Sequence, residues 1–351
     1  MKQMREHLYR CFEQYFRISP QHCSALKGDG SDRKIFRLTA PDARAIAVYG
    51  ENRQENEAFV SFTTSFLELN LPVPQLYDYD PHHNIYLIED LGDVTLNRWV
   101  ERQTSQHHTE SIHSMYQQVL DYLLHFQFKG RDRIDFSKCY QFEIFDRDAM
   151  HFDLTYFINY FIKSFIKKEF NYFKLNQNFK NLISRLNSEN TNYFLYRDFQ
   201  SKNIMIYKNK PRFIDYQSGR RGALQYDVAS LLFDANVDLS SEDRHELLEY
   251  YLEQATMHEK INSSTFKAHF YDFALIRLLQ ALAAFTFLSM EKGKIEFLNS
   301  IPQALDHLKA LLEEPGMFRE LSELRRIFEE DIFINDSLIE NIQSPVNSNT
   351  E

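Results

Sequence analysis

Two short polar segments, each placed between apolar strand-forming residues, constrain this chain more than any other part of its sequence. The first, residues 196–203, reads YRDFQSKN and leads directly into a second apolar stretch. The second, residues 213–217, reads FIDYQ, with its acidic residue at the end of a short predicted strand. A β-hairpin between the two segments would bring Asp198, Asn203 and Asp215 close together.

These three side chains suit phosphoryl transfer from a nucleotide. Such a reaction needs one carboxylate to accept the proton of the attacking hydroxyl group, and oxygen ligands to hold magnesium on the phosphates. We predict Asp198 as the catalytic base or orienting carboxylate, and Asn203 and Asp215 as the metal ligands. Arg197 is predicted to anchor the catalytic loop. Gln217 could reach a metal or the substrate, or make a structural hydrogen bond. An Asp and an Asn in a turn are by themselves ordinary turn residues, and the second Asp after the next strand favours catalysis.

The two segments and their surroundings resemble the aminoglycoside phosphotransferase and choline kinase family of small-molecule kinases. The protein-kinase signatures are H-R-D-x-x-x-x-N and D-F-G, and here they read Y-R-D-x-x-x-x-N and I-D-Y-Q. Within the family, residues 214–232 most resemble the bacterial anomeric sugar kinases, which phosphorylate the C1 hydroxyl of N-acetylmuramate and N-acetylglucosamine in cell-wall recycling. Further similarities lie at residues 28–38, 71–74, 87–93 and 273–282.

The resemblance implies an α+β fold of the two-lobed protein-kinase type, with a small antiparallel β-sheet lobe and a larger, mainly helical lobe. We place the N-terminal nucleotide-binding lobe at residues 1–90 and the C-terminal catalytic and substrate-binding lobe at residues 91–343. The polar tail, residues 344–351, is predicted to be disordered. Hydrophobic periodicity predicts helices at 4–17, 55–69, 111–127, 152–168 and 228–233, and strands at 45–49, 75–79, 84–89, 204–207 and 212–214.

The resemblance also implies ATP and Mg²⁺ as cofactors. The turn between the first two strands contains only two glycines, Gly28 and Gly30. It could contact the phosphates, or it could be an ordinary hairpin turn. The hinge after the last strand of the sheet should bind adenine through its backbone. The predicted nucleotide contacts are Gly28, Gly30, Ser31, Arg33, Glu89 and Leu91.

The chain departs from the kinase pattern at two positions that matter for catalysis. Tyr196 stands where the loop His is expected, and an aromatic ring there can still pack under the loop. The strand at residues 45–49 has no lysine to bind the phosphates, so Arg33, Lys34 or Arg53 must supply a cation. Glu57, in the next helix, would pair with that lysine in a kinase; without that partner it either binds metal or is simply solvated, and the second interpretation is favoured.

The sequence gives fewer indications of which residues bind the substrate. Arg220 and Arg221 follow the metal motif and could bind a carboxylate such as the lactyl group of N-acetylmuramate, although paired arginines are more often surface or salt-bridge residues. Asp146 and Asp153 lie where relatives place an acidic substrate-binding helix. Asp227 is predicted to open the helix at residues 228–233 as its cap.

Composition limits the choice of partners and compartment. The formal net charge of −10, without a basic stripe, argues against a nucleic-acid partner. The three scattered cysteines are expected to be free thiols of a reducing cytosol. The most apolar helix, predicted at residues 273–288, is interrupted by Arg277 and Gln280 and looks too short to span a bilayer. We therefore expect a cytoplasmic enzyme that acts on a small molecule, a sugar, without nucleic-acid or membrane partners.

Two alternatives stay open. The acceptor could be another alcohol, as in aminoglycoside or choline kinases. The chain could also be a catalytically silent regulatory protein with a kinase fold. The missing lysine and Tyr196 favour that second alternative, whereas the intact base and metal ligands oppose it.

Overall fold

The computed structural model describes residues 2–28, 30, 32–314 and 320–334. Contacts divide the chain into two compact units, Met1–Glu143 with Asn192–Arg221 and Ile144–Thr191 with Gly222–Glu351. The lobe boundary predicted between residues 90 and 91 lies inside the first unit and remains a prediction. The tail at 344–351 lies outside the described residues.

The first unit is built on a five-stranded antiparallel sheet with strand order β1-β2-β3-β5-β4. The small antiparallel sheet that was predicted is thereby confirmed. The two-stranded pair β7-β8 belongs to the same unit, as do β6 and the first two residues of its partner β9. The helices and strands are α1 (Lys2–Phe16), β1 (His22–Leu26), β2 (Lys34–Ala40), β3 (Ala43–Tyr49), α2 (Arg53–Glu68), β4 (Leu76–Asp80), β5 (Ile85–Glu89), α3 (Leu96–Ser105), α4 (Thr109–Gly130), a 3₁₀ turn (Phe136–Lys138), β6 (Tyr193–Leu195), a second 3₁₀ turn (Ser201–Asn203), β7 (Ile204–Tyr207), β8 (Lys210–Phe213) and β9 (Arg220–Gly222).

Helix α1 covers one face of the sheet through the apolar positions that its sequence repeats at helical spacing. Leu8, Cys11 and Phe12 are almost completely buried there. Their partners alternate along the strands, as expected for one face of a sheet. These partners are Leu38, Ala45, Ala47, Ile85 and Leu87.

Helix α2 connects the sheet to the segment that carries Asp215. Its first turn is capped by Asn52, whose side chain accepts a hydrogen bond from the backbone N–H of Glu55. Phe59 stacks on Tyr86 and on Tyr216, with ring centroids 4.6 and 5.0 Å away. This buried stack fixes the ring next to Asp215 against the helix.

The predicted hairpin between the two polar segments is confirmed. Strands β7 and β8 pair antiparallel with Ile204 opposite Phe213. The backbone N–H of Ile214 also donates to the carbonyl oxygen of Asn203 at 3.0 Å. The two ends of the hairpin, where the polar segments lie, are therefore held side by side.

The second unit is mainly helical in its described part. The helix predicted at residues 152–168 begins earlier and continues from α-helical into π-helical geometry. The elements are α5 (Arg147–Tyr156) with its π-helical continuation (Phe157–Ile166), α6 (Tyr172–Leu186), α7 (Leu224–Leu232), α8 (Ser241–Thr256), α9 (Ser263–Met290), a 3₁₀ segment (Ile295–Ser300), α10 (Ile301–Leu312) and α11 (Ser322–Arg326) with a π-helical continuation (Ile327–Ile332).

Two predictions in this unit were wrong in detail. Helix α9 has 28 residues and is long and apolar enough to cross a membrane by length and composition, a test that the core helix of a soluble protein also passes. The prediction that this helix is too short to span a bilayer was therefore wrong, because the helix begins ten residues before residue 273, at Ser263. Helix α7 begins at Leu224, so Asp227 lies buried in its first turn and is not the cap.

Candidate active site

Tyr196 joins the catalytic loop to the metal motif. Its ring is completely buried and its hydroxyl donates a hydrogen bond to the carbonyl oxygen of Ile214 at 2.5 Å. Edge-on contacts with Phe126, Phe199 and Tyr216 hold the ring in place. An aromatic residue at this position thus packs under the loop and also bonds the segment opposite.

The loop between β6 and β7 places Asp198 half-buried and fixes its backbone through Asn203. The Nδ2 group of Asn203 donates to the carbonyl oxygen of Asp198 at 2.9 Å, which directs the amide oxygen Oδ1 elsewhere. Arg197 and Asp215 both have backbone angles in the left-handed region, with φ of 81° and 69°. Such angles cost about 1–3 kcal/mol each in non-glycine residues and cluster at functional sites.

The carboxylate of Asp215 is held by two partners. Arg33 forms an ion pair with it, and Nε2 of Gln217 donates to its Oδ1 at 3.0 Å. Burial alone would raise the pKa of Asp215, but Arg33 and the hydrogen bonds bring the pKa below its usual value. Asp215 is therefore ionised at neutral pH.

The donor set fits a magnesium ion that is shared with phosphates. Within the described residues no cluster of three or more His, Cys, Asp or Glu side chains could hold a metal by itself. Asn203 and Asp215 offer amide and carboxylate oxygens, the ligands that suit this hard cation, which binds through one or two carboxylates plus phosphate oxygens. The buried Oε1 of Gln217 has no hydrogen-bond partner in the described part of the chain, so an electropositive group fits beside it.

Arg33 is the cation that the structure brings to this site. Lys34 lies over the ring of Tyr49, and Arg53 pairs with Glu57 at 2.7 Å on the surface of α2. A second acidic residue near Arg33, besides Asp215, is Glu55, whose Oε1 is 3.5 Å from Nε of Arg33.

Sequence reasoning considered Glu57 and missed Glu55. The spacing between Arg53 and Glu57 contained a usable signal, because opposite charges four residues apart pair along a helix. Because Glu57 pairs with Arg53 on the exposed face of α2, Glu55 is the acidic residue that can face the interior. Burial raises the pKa of Glu55, with a further contribution from Asp215 and a lowering by Arg33.

The predicted nucleotide contacts fall on the loop before β2 and on the end of β5. The side chain of Glu89 accepts hydrogen bonds from Arg212 at 2.6 Å and from the backbone of Gln75 at 3.2 Å, and Leu91 is buried. Readout of adenine by the backbone here stays a prediction. A Cβ atom at Gly28 would meet only ordinary contacts. Gly30 lies exposed in the same loop, and Ser31 is outside the described residues.

Residues 136–143 lie beside the metal motif, and we call this segment the wall. Cys139 donates from Sγ to the carbonyl oxygen of Gly219 at 3.2 Å, and the Tyr140 hydroxyl lies 3.3 Å from that of Ser218. Burial raises the pKa of Tyr140, and the charges of Glu55 and Asp198 add to the effect. Tyr140 therefore borders the same site. The sequence reasoning missed it, because one tyrosine in a loop leaves no pattern.

Both arginines that follow the metal motif have partners within this wall. Arg220 is buried, and its Nη2 donates to the side chain of Gln141 at 3.0 Å. The guanidinium of Arg221 lies 4.0 Å from the ring centre of Phe136. These contacts favour a structural role, and recognition of a lactyl carboxylate stays a prediction.

The two predicted acidic substrate residues lie on α5 of the second unit. Asp146 caps this helix by accepting hydrogen bonds from the backbone N–H groups of Asp148 and Ala149. Asp153 is buried within it. Their contact with substrate stays a prediction.

Comparison with known proteins finds similarity to proteins that are named as small-molecule kinases. No family model matches the chain. Two curated relatives, both named N-acetylmuramate/N-acetylglucosamine kinase, are each 22% identical to it. The protein from Pseudomonas aeruginosa aligns over 317 residues, 88% of this chain and 88% of the relative. The protein from Neisseria meningitidis aligns over 288 residues, 80% of this chain and 83% of the relative.

Solved structures agree on the fold. The choline kinase LicA from Streptococcus pneumoniae superposes with a TM-score of 0.58 at 13% identity, covering 88% of this chain and 99% of that one. The ADP-bound aminoglycoside phosphotransferase APH(2'')-Ib superposes with a TM-score of 0.54 at 13% identity, covering 87% and 97%. The chain therefore has the protein-kinase-like fold of choline kinases and aminoglycoside phosphotransferases, and the resemblance predicted from its motifs is confirmed.

Proposed function

We propose that this protein is a magnesium-dependent kinase that transfers the γ-phosphoryl group of ATP to the anomeric hydroxyl of an amino sugar, N-acetylmuramate or N-acetylglucosamine. The observation that carries the proposal is the joined pair of loops. Asn203 bonds the backbone of Asp198, and Tyr196 bonds the segment before Asp215. The names of the two sequence relatives support the amino sugar as acceptor.

In the proposed reaction Asp198 accepts the proton of the acceptor hydroxyl, whose oxygen forms the new bond to the γ-phosphorus while the bond to the β-phosphate oxygen breaks. ADP leaves, and Asp198 returns the proton to solvent. Asn203 and Asp215 would hold Mg²⁺, which neutralises charge on the phosphates. Arg33 supplies the positive charge that a lysine in β3 would otherwise provide.

The remaining nucleotide contacts belong to the same proposal. The loop of Gly28, Gly30 and Ser31 would cover the phosphates, and the backbone at Glu89 and Leu91 would bind adenine. Because ATP is supplied inside the cell, the proposal includes a cytoplasmic location.

An acceptor panel tests the proposal. Purified protein with Mg²⁺ and ATP is offered N-acetylmuramate, N-acetylglucosamine, choline, ethanolamine and an aminoglycoside, and ADP release is measured. We expect turnover with an N-acetyl hexosamine together with loss of its reducing end, because phosphorylation at C1 blocks ring opening. The variant Asp198→Ala serves as the control for contaminating kinases.

Each other result of the panel points elsewhere. ADP release with the reducing end retained would move the phosphate to another hydroxyl. Turnover of choline or of the aminoglycoside alone would replace the sugar. If no acceptor is phosphorylated, the chain is better described as a silent protein with a kinase fold.

A further inference from the structure

The guanidinium group of Arg33 is almost wholly covered by acidic and hydroxyl side chains from three different segments. The side chain is 10% exposed and pairs through Nη2 with Asp215. Its Nη1 lies 3.3 Å from the hydroxyl of Tyr86, and its Nε lies 3.5 Å from Oε1 of Glu55. The partners come from the turn after β8, from β5 and from α2, so Arg33 ties these three segments together.

The surroundings of Arg33 form a cation site. Asp215 and Glu55 are both partly buried carboxylates, with side chains 32% and 18% exposed, and each makes the charge of the other less favourable. Removing one partner of a buried ion pair leaves an uncompensated charge, which is strongly unfavourable. Arg33 therefore supplies the positive charge that these carboxylates need when no other cation is present.

Arg33 and a divalent cation would compete for the same carboxylate. The Oδ1 atom of Asp215 receives both the ion pair from Arg33 and the hydrogen bond from Gln217. A metal ion on this carboxylate would lie a few ångströms from the guanidinium group, and like charges at that separation repel each other. Metal binding to Asp215 is therefore weakened while Arg33 keeps its present position, through repulsion at either oxygen and through direct occupation of Oδ1.

We propose that Arg33 is a placeholder for the metal, which neutralises Asp215 in the nucleotide-free protein and transfers its hydrogen bonds to the phosphates when nucleotide binds. A guanidinium group suits this exchange, because its planar fork binds phosphate oxygens in a bidentate manner. Asp215 then becomes available to the divalent cation. The protein alone binds such a cation weakly, and nucleotide and metal bind cooperatively. This inference rests on the proposed function.

Binding of Mn²⁺ to the nucleotide-free protein tests the placeholder. Manganese prefers the same oxygen ligands as magnesium, and the electron paramagnetic resonance signal of free Mn²⁺ reports how much is bound. We expect Arg33→Met to bind Mn²⁺ at least about tenfold more tightly than the wild type, because a nearby positive charge is removed. The double variant Arg33→Met/Asp215→Asn should lose this gain.

Arg53→Met is the matched control. It removes the same charge from α2, but Arg53 pairs with Glu57 at the surface and not with Asp215. We expect its Mn²⁺ affinity to equal that of the wild type. Arg33→Met with wild-type affinity, or an equal gain in Arg53→Met, would overturn the inference.

The wild type alone can still overturn the inference, should Arg33→Met fail to fold. Mn²⁺ binding by nucleotide-free wild type at about 10⁻⁵ M or tighter, the range of sensor sites complete in protein ligands, would show that Asp215 is not occupied. Failure of this inference and failure of the proposed function give different results. If the wild type phosphorylates a sugar but Arg33→Met does not bind Mn²⁺ more tightly, the placeholder role of Arg33 is wrong. If Arg33→Met binds Mn²⁺ more tightly but no sugar is phosphorylated, only the proposed sugar kinase function is wrong.

Discussion

Asp198 and Asp215 lie on neighbouring loops, but the structure surrounds them with different partners. Asp198 is half-buried on a loop, and the side chain of Asn203 donates a hydrogen bond to its backbone carbonyl oxygen. Asp215 is ion-paired with Arg33 and bonded by Gln217. The first carboxylate is therefore suited to the acceptor hydroxyl and the second to a cation. Separate substitutions should give separable defects.

Asp198→Ala should abolish turnover and leave nucleotide affinity near the wild-type value. The expected loss in kcat is about 10²–10⁴-fold, the usual contribution of a general base. Acceptor-dependent ADP release gives kcat, and calorimetric titration with an ATP analogue gives the affinity. Retention of more than roughly a tenth of the activity would contradict the role of base.

Asp215→Ala should lose the magnesium dependence of nucleotide binding together with activity. The carboxylate is expected to connect the protein to the metal on the phosphates. Titration of nucleotide with and without Mg²⁺ should give the same affinity in this variant and different affinities in the wild type. A retained difference would transfer the metal role to Asn203 or Gln217.

Arg220→Met should impair N-acetylmuramate and N-acetylglucosamine equally. Arg220 donates to Gln141 and to the backbone of Ser218, which makes it part of the wall beside the metal motif. Comparison of kcat/KM for the two sugars provides the measurement. A selective loss with N-acetylmuramate of roughly 10–150-fold, equivalent to a charge-assisted hydrogen bond of about 1.5–3 kcal/mol, would instead restore Arg220 as the lactyl ligand.

The turn after β8 depends on a close approach between Gly219 and β6. A Cβ atom at residue 219 would lie 2.4 Å from Cζ of Phe194 and 3.0 Å from the carbonyl oxygen of Tyr216. The ring of Phe194 is completely buried and packs edge-on against Phe62 and Phe66. Neither the ring nor the backbone can move away easily, so this element tolerates only glycine at position 219.

Gly219→Ala should therefore lower the free energy of unfolding by about 1–3 kcal/mol, the usual cost of overpacking a core. Denaturant unfolding measures the change. Gly28→Ala is the matched control, since its new methyl group meets nothing closer than 3.6 Å. Adding Phe194→Leu to Gly219→Ala should recover part of the loss, and an unchanged midpoint in the single variant would mean that the turn adjusts freely.

Helix α9 is the element whose surroundings matter most for the whole molecule. It is buried along much of its length and packs against α7, α5 and α10. The guanidinium of Arg277, within the apolar run, donates to the hydroxyl of Ser230 on α7 at 3.0 Å. A polar group bonded inside a protein core suits a folded interior better than lipid.

The chain should accordingly stay in the supernatant of a detergent-free lysate after ultracentrifugation. The sequence of α9 satisfies the length and composition of a membrane-spanning helix and nothing more, whereas 61% of its apolar window is already buried inside the protein. Recovery only in the detergent-solubilised membrane fraction would contradict a core role for α9. Arg277→Leu should remain in the supernatant too, because the neighbouring helices still cover the site.

The sequence by itself determined the elements and motifs whose signals are local. Apolar residues at helical spacing predicted α1 and α2, and the short apolar stretches beside the two polar segments predicted the β7-β8 hairpin. Asp198 and Asn203 lie five residues apart on one loop, so their proximity follows from the hairpin alone. Such features depend on neighbours in the chain, and the periodicity of the side chains records them.

Only the tertiary structure decided which charged groups meet. Arg33 and Asp215 are 182 residues apart, and nothing local distinguishes Arg33 from Lys34 or Arg53 as the partner. The choice of Glu55 over Glu57 likewise depends on which face of α2 turns inward, since residues two positions apart on a helix point to different sides. The energy of an ion pair depends on burial and distance, which packing creates and composition does not record.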